Sequence, residues 1–165
     1  MKKKYFIMIA VALISTILLS SCGNSGSSDN KATYSAQLPY SAQEYSLYLN
    51  KEIEPITNQL VTQMMMARNV VDGECNAEDA IASAKASLAT VEECYASVDV
   101  MQPAKDYTEL RLNALQTIDR VSATLKTYIA EMEKETPDME AIRSLAKNMQ
   151  AEYADLTALF NSNWK

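Results

Sequence analysis

Histidine is absent from all 165 residues. That absence removes Ser-His-Asp and Cys-His nucleophilic sites, the usual zinc centres, and the Glu-x-x-His pairs of di-iron carboxylate bundles. Glycine (3) and proline (4) are scarce, and no stretch alternates at the strand period. A β-rich fold, which needs frequent turns, is therefore disfavoured, while abundant alanine and aliphatic residues favour helices. Positive charge is also short, at 15 basic against 21 acidic residues. An acidic chain is poorly matched to nucleic acid and to lying flat on an anionic bilayer; its plain effect is solubility.

What is present begins with a greasy N-terminus. Lys2, Lys3 and Lys4 precede an apolar run from Phe6 to Leu19. Fourteen residues are short for a membrane span and right for the core of a secretory signal. The run closes on Leu19-Ser20-Ser21-Cys22. This resembles the bacterial lipoprotein signal, the lipobox, in which a Leu and two small residues lead into a cysteine. The resemblance implies cleavage before Cys22, diacylglyceryl or palmitate chains on its thiol, and a mature chain starting there. Stacked acyl chains anchor stably because each buried methylene contributes ~0.8 kcal/mol. Residues 1–21 are then signal peptide, and their removal leaves 12 basic against 21 acidic residues, a net charge of −9. The implied location is the extracytoplasmic face of the cell membrane, or the outer membrane where a cell has one.

Residues 22–40 read as the lipidated cysteine and a flexible linker of Ser, Gly, Asn and Asp. As a coil, its ~17 residues reach about 20–25 Å. Residues 41–165 read as one all-helical domain. Ser41 and Glu44 form a capping-box signature for a first helix to Val71, with a kink or break expected at Pro55 and a stop at Asp72-Gly73. Its stripe is Tyr45, Tyr48, Leu49, Ile53, Ile56, Leu60, Met64 and Val71. Asn76 caps a second helix, Ala77 to Val98, with Ile81, Ala84, Leu88, Val91, Tyr95 and Val98 inward. Pro103 opens a third helix to about Glu135, about 50 Å long, with Tyr107, Leu110, Ala114, Ile118, Val121, Leu125, Tyr128 and Met132 inward. Thr136 as cap and Pro137 as first residue open a fourth, carrying Ile142, Leu145, Met149, Tyr153, Leu156 and Phe160. Short connections predict an up-down-up-down four-helix bundle after the tether. The whole is similar to small helical-bundle lipoproteins of bacteria, a likeness of architecture and signal that carries no functional residue with it.

The segment between Cys75 and Cys94 reads as one helix, which puts them about 28 Å apart at 1.5 Å per residue. A disulfide needs Cα atoms within ~7 Å, so no bridge between them is expected.

The topology sorts chemistry to two ends. One gathers Tyr40, Tyr45, Tyr48, Tyr95, Tyr107, Phe160 and Trp164. Of these, Tyr45, Tyr48, Tyr95, Tyr107 and Trp164 are candidates for a ligand slot, against the simpler reading of core filling. The other end gathers Met64, Met65, Met66, Cys75, Met132 and Met139 under an acidic rim, candidates for a Cu(I) site or an adaptable recognition surface. No Met-x-x-Met or Cys-x-x-Cys spacing backs the metal. Glu92-Glu93 and Glu131/Glu135 are carboxylate pairs, expected on solvated faces rather than in acid–base work. No cofactor motif or nucleophile–base pair is visible, so an enzyme is not expected. The expected role is a membrane-anchored binding or interaction module with a protein or small-molecule partner; the alternative is a small-molecule or soft-metal carrier.

Overall fold

The structure, a computed structural model, describes residues 40–103 and 105–162, without the side chains of Lys105, Phe160 and Ser162. Four helices follow in order: α1 (Ala42–Val71), α2 (Ala77–Val100), α3 (Thr108–Met132) and α4 (Met139–Ser162). A single 3-10 turn, Lys105–Tyr107, leads into α3. Cross-helix pairs run antiparallel: Gln59 and Gln63 meet Ser87 and Ser83, Glu92 meets Lys126, and Asp155 meets Arg120. Each helix packs on its sequence neighbours and α4 closes the ring against α1, giving the expected up-down-up-down bundle.

Local chemistry explains the ends. The Ser41 hydroxyl accepts from Glu44 N–H at 3.3 Å while the Glu44 carboxylate accepts from Ser41 N–H at 3.1 Å, closing the capping box. That bonding holds the Glu44 carboxyl below its ordinary pKa. Gly73, at φ +73°, supplies the left-handed turn that ends α1. Asn76 caps α2 by accepting from Asp79 N–H at 2.8 Å. The Tyr40 N–H donates to Gln102 O at 2.8 Å, joining the entry of α1 to the α2–α3 connection.

Several sequence expectations change here. The first helix runs through Pro55 without a break. Pro55 strips the donor from the Lys51 carbonyl, but Lys51 is exposed, where water can serve it, and Ile53, Ile56 and Leu60 are locked in the core on either side. The third helix starts at Thr108 rather than Pro103 and stops at Met132, so it spans about 38 Å. Asp138, not Thr136, caps α4, accepting from Glu140 N–H at 2.9 Å.

The core is continuous: Tyr45, Leu49, Ile53, Ile56, Leu60, Val91, Val98, Ile118, Val121, Leu125, Tyr128, Ile142, Met149 and Leu156 are fully buried. Each such aliphatic side chain contributes about 1.5–3 kcal/mol. The inward faces differ from the predicted stripes at instructive places. On α2 the small Ala80, Ser87 and Cys94 are buried while Ile81, Leu88 and Tyr95 lie half out. A slim helix approaches its neighbours closely, and small residues mark the line of closest approach. On α1, Gln63 and Val70 take the core positions predicted for Met64 and Val71; on α4, Glu152 takes the one predicted for Tyr153.

Candidate functional site

The tyrosine end is mostly filled by its own rings. Tyr45 is fully buried and meets Tyr107 edge-on at 5.9 Å between centroids; Tyr40 and Tyr48 meet edge-on at 5.2 Å. Tyr95 stands apart on the surface of α2, and Trp164 lies outside the described residues. Burial pushes the Tyr45 hydroxyl up to about 12, opposed by nearby Arg111, and leaves that hydroxyl without a hydrogen-bond partner. Arg111 itself is clamped to Asp99, donating to its carboxylate at 2.8 Å and to its carbonyl.

The methionine end is divided between core and surface. Met132 is buried, Met64 and Met66 are half-buried against the core, Met65 is 61% exposed and Met139 faces outward. Cys75, half-buried, donates its thiol to Asn76 O at 3.3 Å. Among the described residues, no group of three or more Cys, Asp or Glu is placed to hold a metal ion. Tyr128 sits fully buried with its hydroxyl unpartnered and pushed up to about 12, first by burial and then by Cys75 nearby.

Cys75 and Cys94 are both free thiols. Cys94 is buried in the α1–α2 seam, where desolvation and then the Glu52 carboxylate push it up to about 12. A thiol held protonated is a poor nucleophile and a poor metal ligand. The buried tyrosines are equally inert as acids at neutral pH.

Glu131 departs from its expected solvated position. It is buried at the end of α3, where its carboxylate accepts from Lys134 Nζ at 2.5 Å and from Asp138 N–H at 2.9 Å. Those bonds hold its pKa below the ordinary carboxyl value and tie the α3–α4 turn, a structural task.

The polar chemistry with room beside it lies between α3 and α4, and sequence reading missed it. Thr124 Oγ1 donates to Glu152 Oε1 at 2.6 Å inside the seam, and Glu152 Oε2 has no partner. Desolvation raises the Glu152 pKa, offset in part by the Thr124 hydrogen bond and by Arg120. One helical turn away, Arg120 donates to Asp155 at 2.7 Å and to the Thr117 hydroxyl at 3.2 Å. There the seam opens into a groove of about 850 Å³. Asn113, Gln116 and Asp119 line its α3 wall, and Asp155, Ala158 and Leu159 its α4 wall. A second groove, about 340 Å³, lies between the end of α1 and the start of α4. Its floor is apolar (Ala67, Val71, Ala146) and its rim carries Arg68, Arg143, Lys147 and Asp72.

Among the described residues no helix is long and apolar enough to cross a membrane. Cys22 and the residues that resemble a lipoprotein signal lie outside the described residues. Compared with family models, with curated proteins and with solved structures, the chain matches none.

Proposed function

We propose that this chain is a membrane-anchored extracytoplasmic lipoprotein whose helical bundle is a binding module rather than an enzyme. The observation that carries the anchoring is Leu19-Ser20-Ser21-Cys22 at the end of a short apolar run behind three lysines. A cysteine at that place has a thiol able to form a thioether with a lipid, and small residues before it suit a narrow peptidase cleft.

The bundle supports a binding role through where its spaces lie. Its axis is packed with fully buried Leu, Ile, Val, Met and Tyr side chains, whereas the two grooves open on helix seams at the surface. A partner is therefore met on the outside of the rod. The net charge of −9 on the mature chain keeps the domain from collapsing onto anionic headgroups.

The test is metabolic labelling. The wild-type chain should incorporate labelled palmitate and fractionate with membranes, and Cys22→Ala should do neither. A Cys22→Ala chain that still sediments wholly with membranes, or a wild-type chain that takes up no label, would overturn the anchoring.

A further inference from the structure

We infer that the α1–α4 groove binds a small amphipathic carboxylate, its charged head held by Arg68, Arg143 and Lys147 and its apolar body resting on Ala67, Val71 and Ala146. This rests on the reading of the bundle as a binding module and gives that module a place and a ligand class.

The groove exists because its floor is alanine on both helices, Ala67 on α1 and Ala146 on α4. Short side chains there leave about 340 Å³ open between the two walls. At a water's share of ~30 Å³ per heavy atom, that is room for about ten heavy atoms. The apolar groups lie at the bottom and the charged ones at the rim, so a ligand that fits has an apolar body and a charged head. The groove sits at the end of α1 opposite Tyr40, where the chain enters the bundle, so a ligand reaches it from solution.

The sign of that head follows from the rim, whose charge runs against that of the chain. The mature chain carries a net charge of −9, yet three cationic side chains and one carboxylate line this groove. The cations come from both walls, Arg68 from α1 and Arg143 and Lys147 from α4, and so converge on the opening. Lys147 has no hydrogen bond or ion pair among the described residues. Arg68 meets Asp72 only through Nε, at 3.5 Å, and Arg143 meets Glu140 only through Nη1. Both pairs lie within one helix and in solvent, where such pairs contribute little, and both leave further guanidinium N–H groups unused. Counting Glu140 with the lining still leaves the balance positive. The free donors match a carboxylate, which accepts through two oxygens. Acidic groups elsewhere on the chain are screened beyond about 8 Å.

The experiment is calorimetric titration of the full-length chain in non-ionic detergent with octanoate, subtracting the heat of octanoate into detergent alone. The expected result is saturable, one-site binding, with octanamide, the same body without the charge, at least about tenfold weaker. Lys147→Gln should weaken octanoate about tenfold, the loss of one charge-assisted hydrogen bond, with the melting temperature of the free protein unchanged. Lys51→Gln removes an equal charge about 25 Å along α1 from Arg68 and should leave binding intact. Ala146→Leu, which fills the floor, should abolish binding in a chain that still melts cooperatively. No saturable heat with octanoate, equal binding of octanamide, or equal weakening by the two lysine variants overturns the site. Tighter binding of tetraglutamate than of octanoate also overturns it, assigning the rim to acidic peptide. Such a failure alongside Cys22-dependent membrane attachment removes the groove and leaves the anchoring standing.

Discussion

The α1–α2 seam and the α3–α4 seam both bury polar side chains, and they treat them differently. The glutamine–serine network between α1 and α2 is neutral: Gln63 Nε2 donates to Ser83 at 2.8 Å and to Ser87 at 2.9 Å, and Ser87 donates to Gln59 at 2.7 Å. Between α3 and α4 the groups ionise: Glu152 leans on one threonine, and Arg120 faces Asp155 at the rim. Both sets fix helix register, since sliding either pair by one turn breaks every bond in it. The first does so without reference to pH. The second ties helix packing to proton concentration and lies beside an open groove. A network's worth is thus set less by its depth than by whether its members carry charge.

The largest expected effect comes from making the first seam resemble the second. Gln63→Glu places a carboxyl at a fully buried position with no cation opposite. Its expected cost is about 3 kcal/mol at pH 7, recovered as the carboxyl protonates at low pH. Urea denaturation at pH 7 and pH 4 measures it. A loss well under 1 kcal/mol at pH 7 would mean the α1–α2 seam admits water and is no dry counterpart to the other.

A smaller change of opposite sign comes from neutralising the second seam. The folded-state pKa of Glu152 is raised, so the native state binds its proton more tightly than the unfolded chain does. Its contribution is therefore intact below the ordinary carboxyl pKa and is lost as pH rises through that value toward the raised one. Glu152→Gln should remove this decline, gaining about 1 kcal/mol over wild type at pH 8 and little at pH 4. The difference between variant and wild type isolates the effect from Glu44 and Glu131, whose lowered values act in the opposite sense. A difference that does not vary with pH would show that Glu152 is already well solvated.

The smallest effect belongs to the rim. Arg120 and Asp155 are each about half exposed, and such pairs contribute about 0–1 kcal/mol. Asp155→Asn should lower stability by no more than about 0.5 kcal/mol, and less at high salt. A larger loss in thermal melts would place the pair inside the buried network rather than at its edge.

Much of this architecture is legible in the residues alone. Helix order and antiparallel sense follow from three-and-four spacing and short connections, and Ser41 with Glu44 marks the start of α1. The errors share one cause. Pattern reading assigns the inside to the largest apolar side chain, so it chose Ile81 over Ala80, Met64 over Gln63 and Tyr153 over Glu152. Close helix approach selects the small residue in the first case, and a partner on another helix makes the polar residue tolerable in the other two. Those partners are remote along the chain: Thr124 and Glu152 are 28 positions apart. The α3–α4 groove was hidden for the same reason, because Asn113, Gln116 and Asp119 look like an ordinary solvated face until α4 is laid beside them. The tyrosine and methionine ends were visible as compositions, but composition does not say which rings stack or which thioethers face outward.

The hydrogen bond from Tyr40 N–H to Gln102 O has a mechanical meaning. Tension arriving along the backbone from the N-terminal side meets a crosswise stitch before it meets the first turn of α1. The load is divided between α1 and the connection that joins α2 to α3, so the rod resists being unzipped from one end.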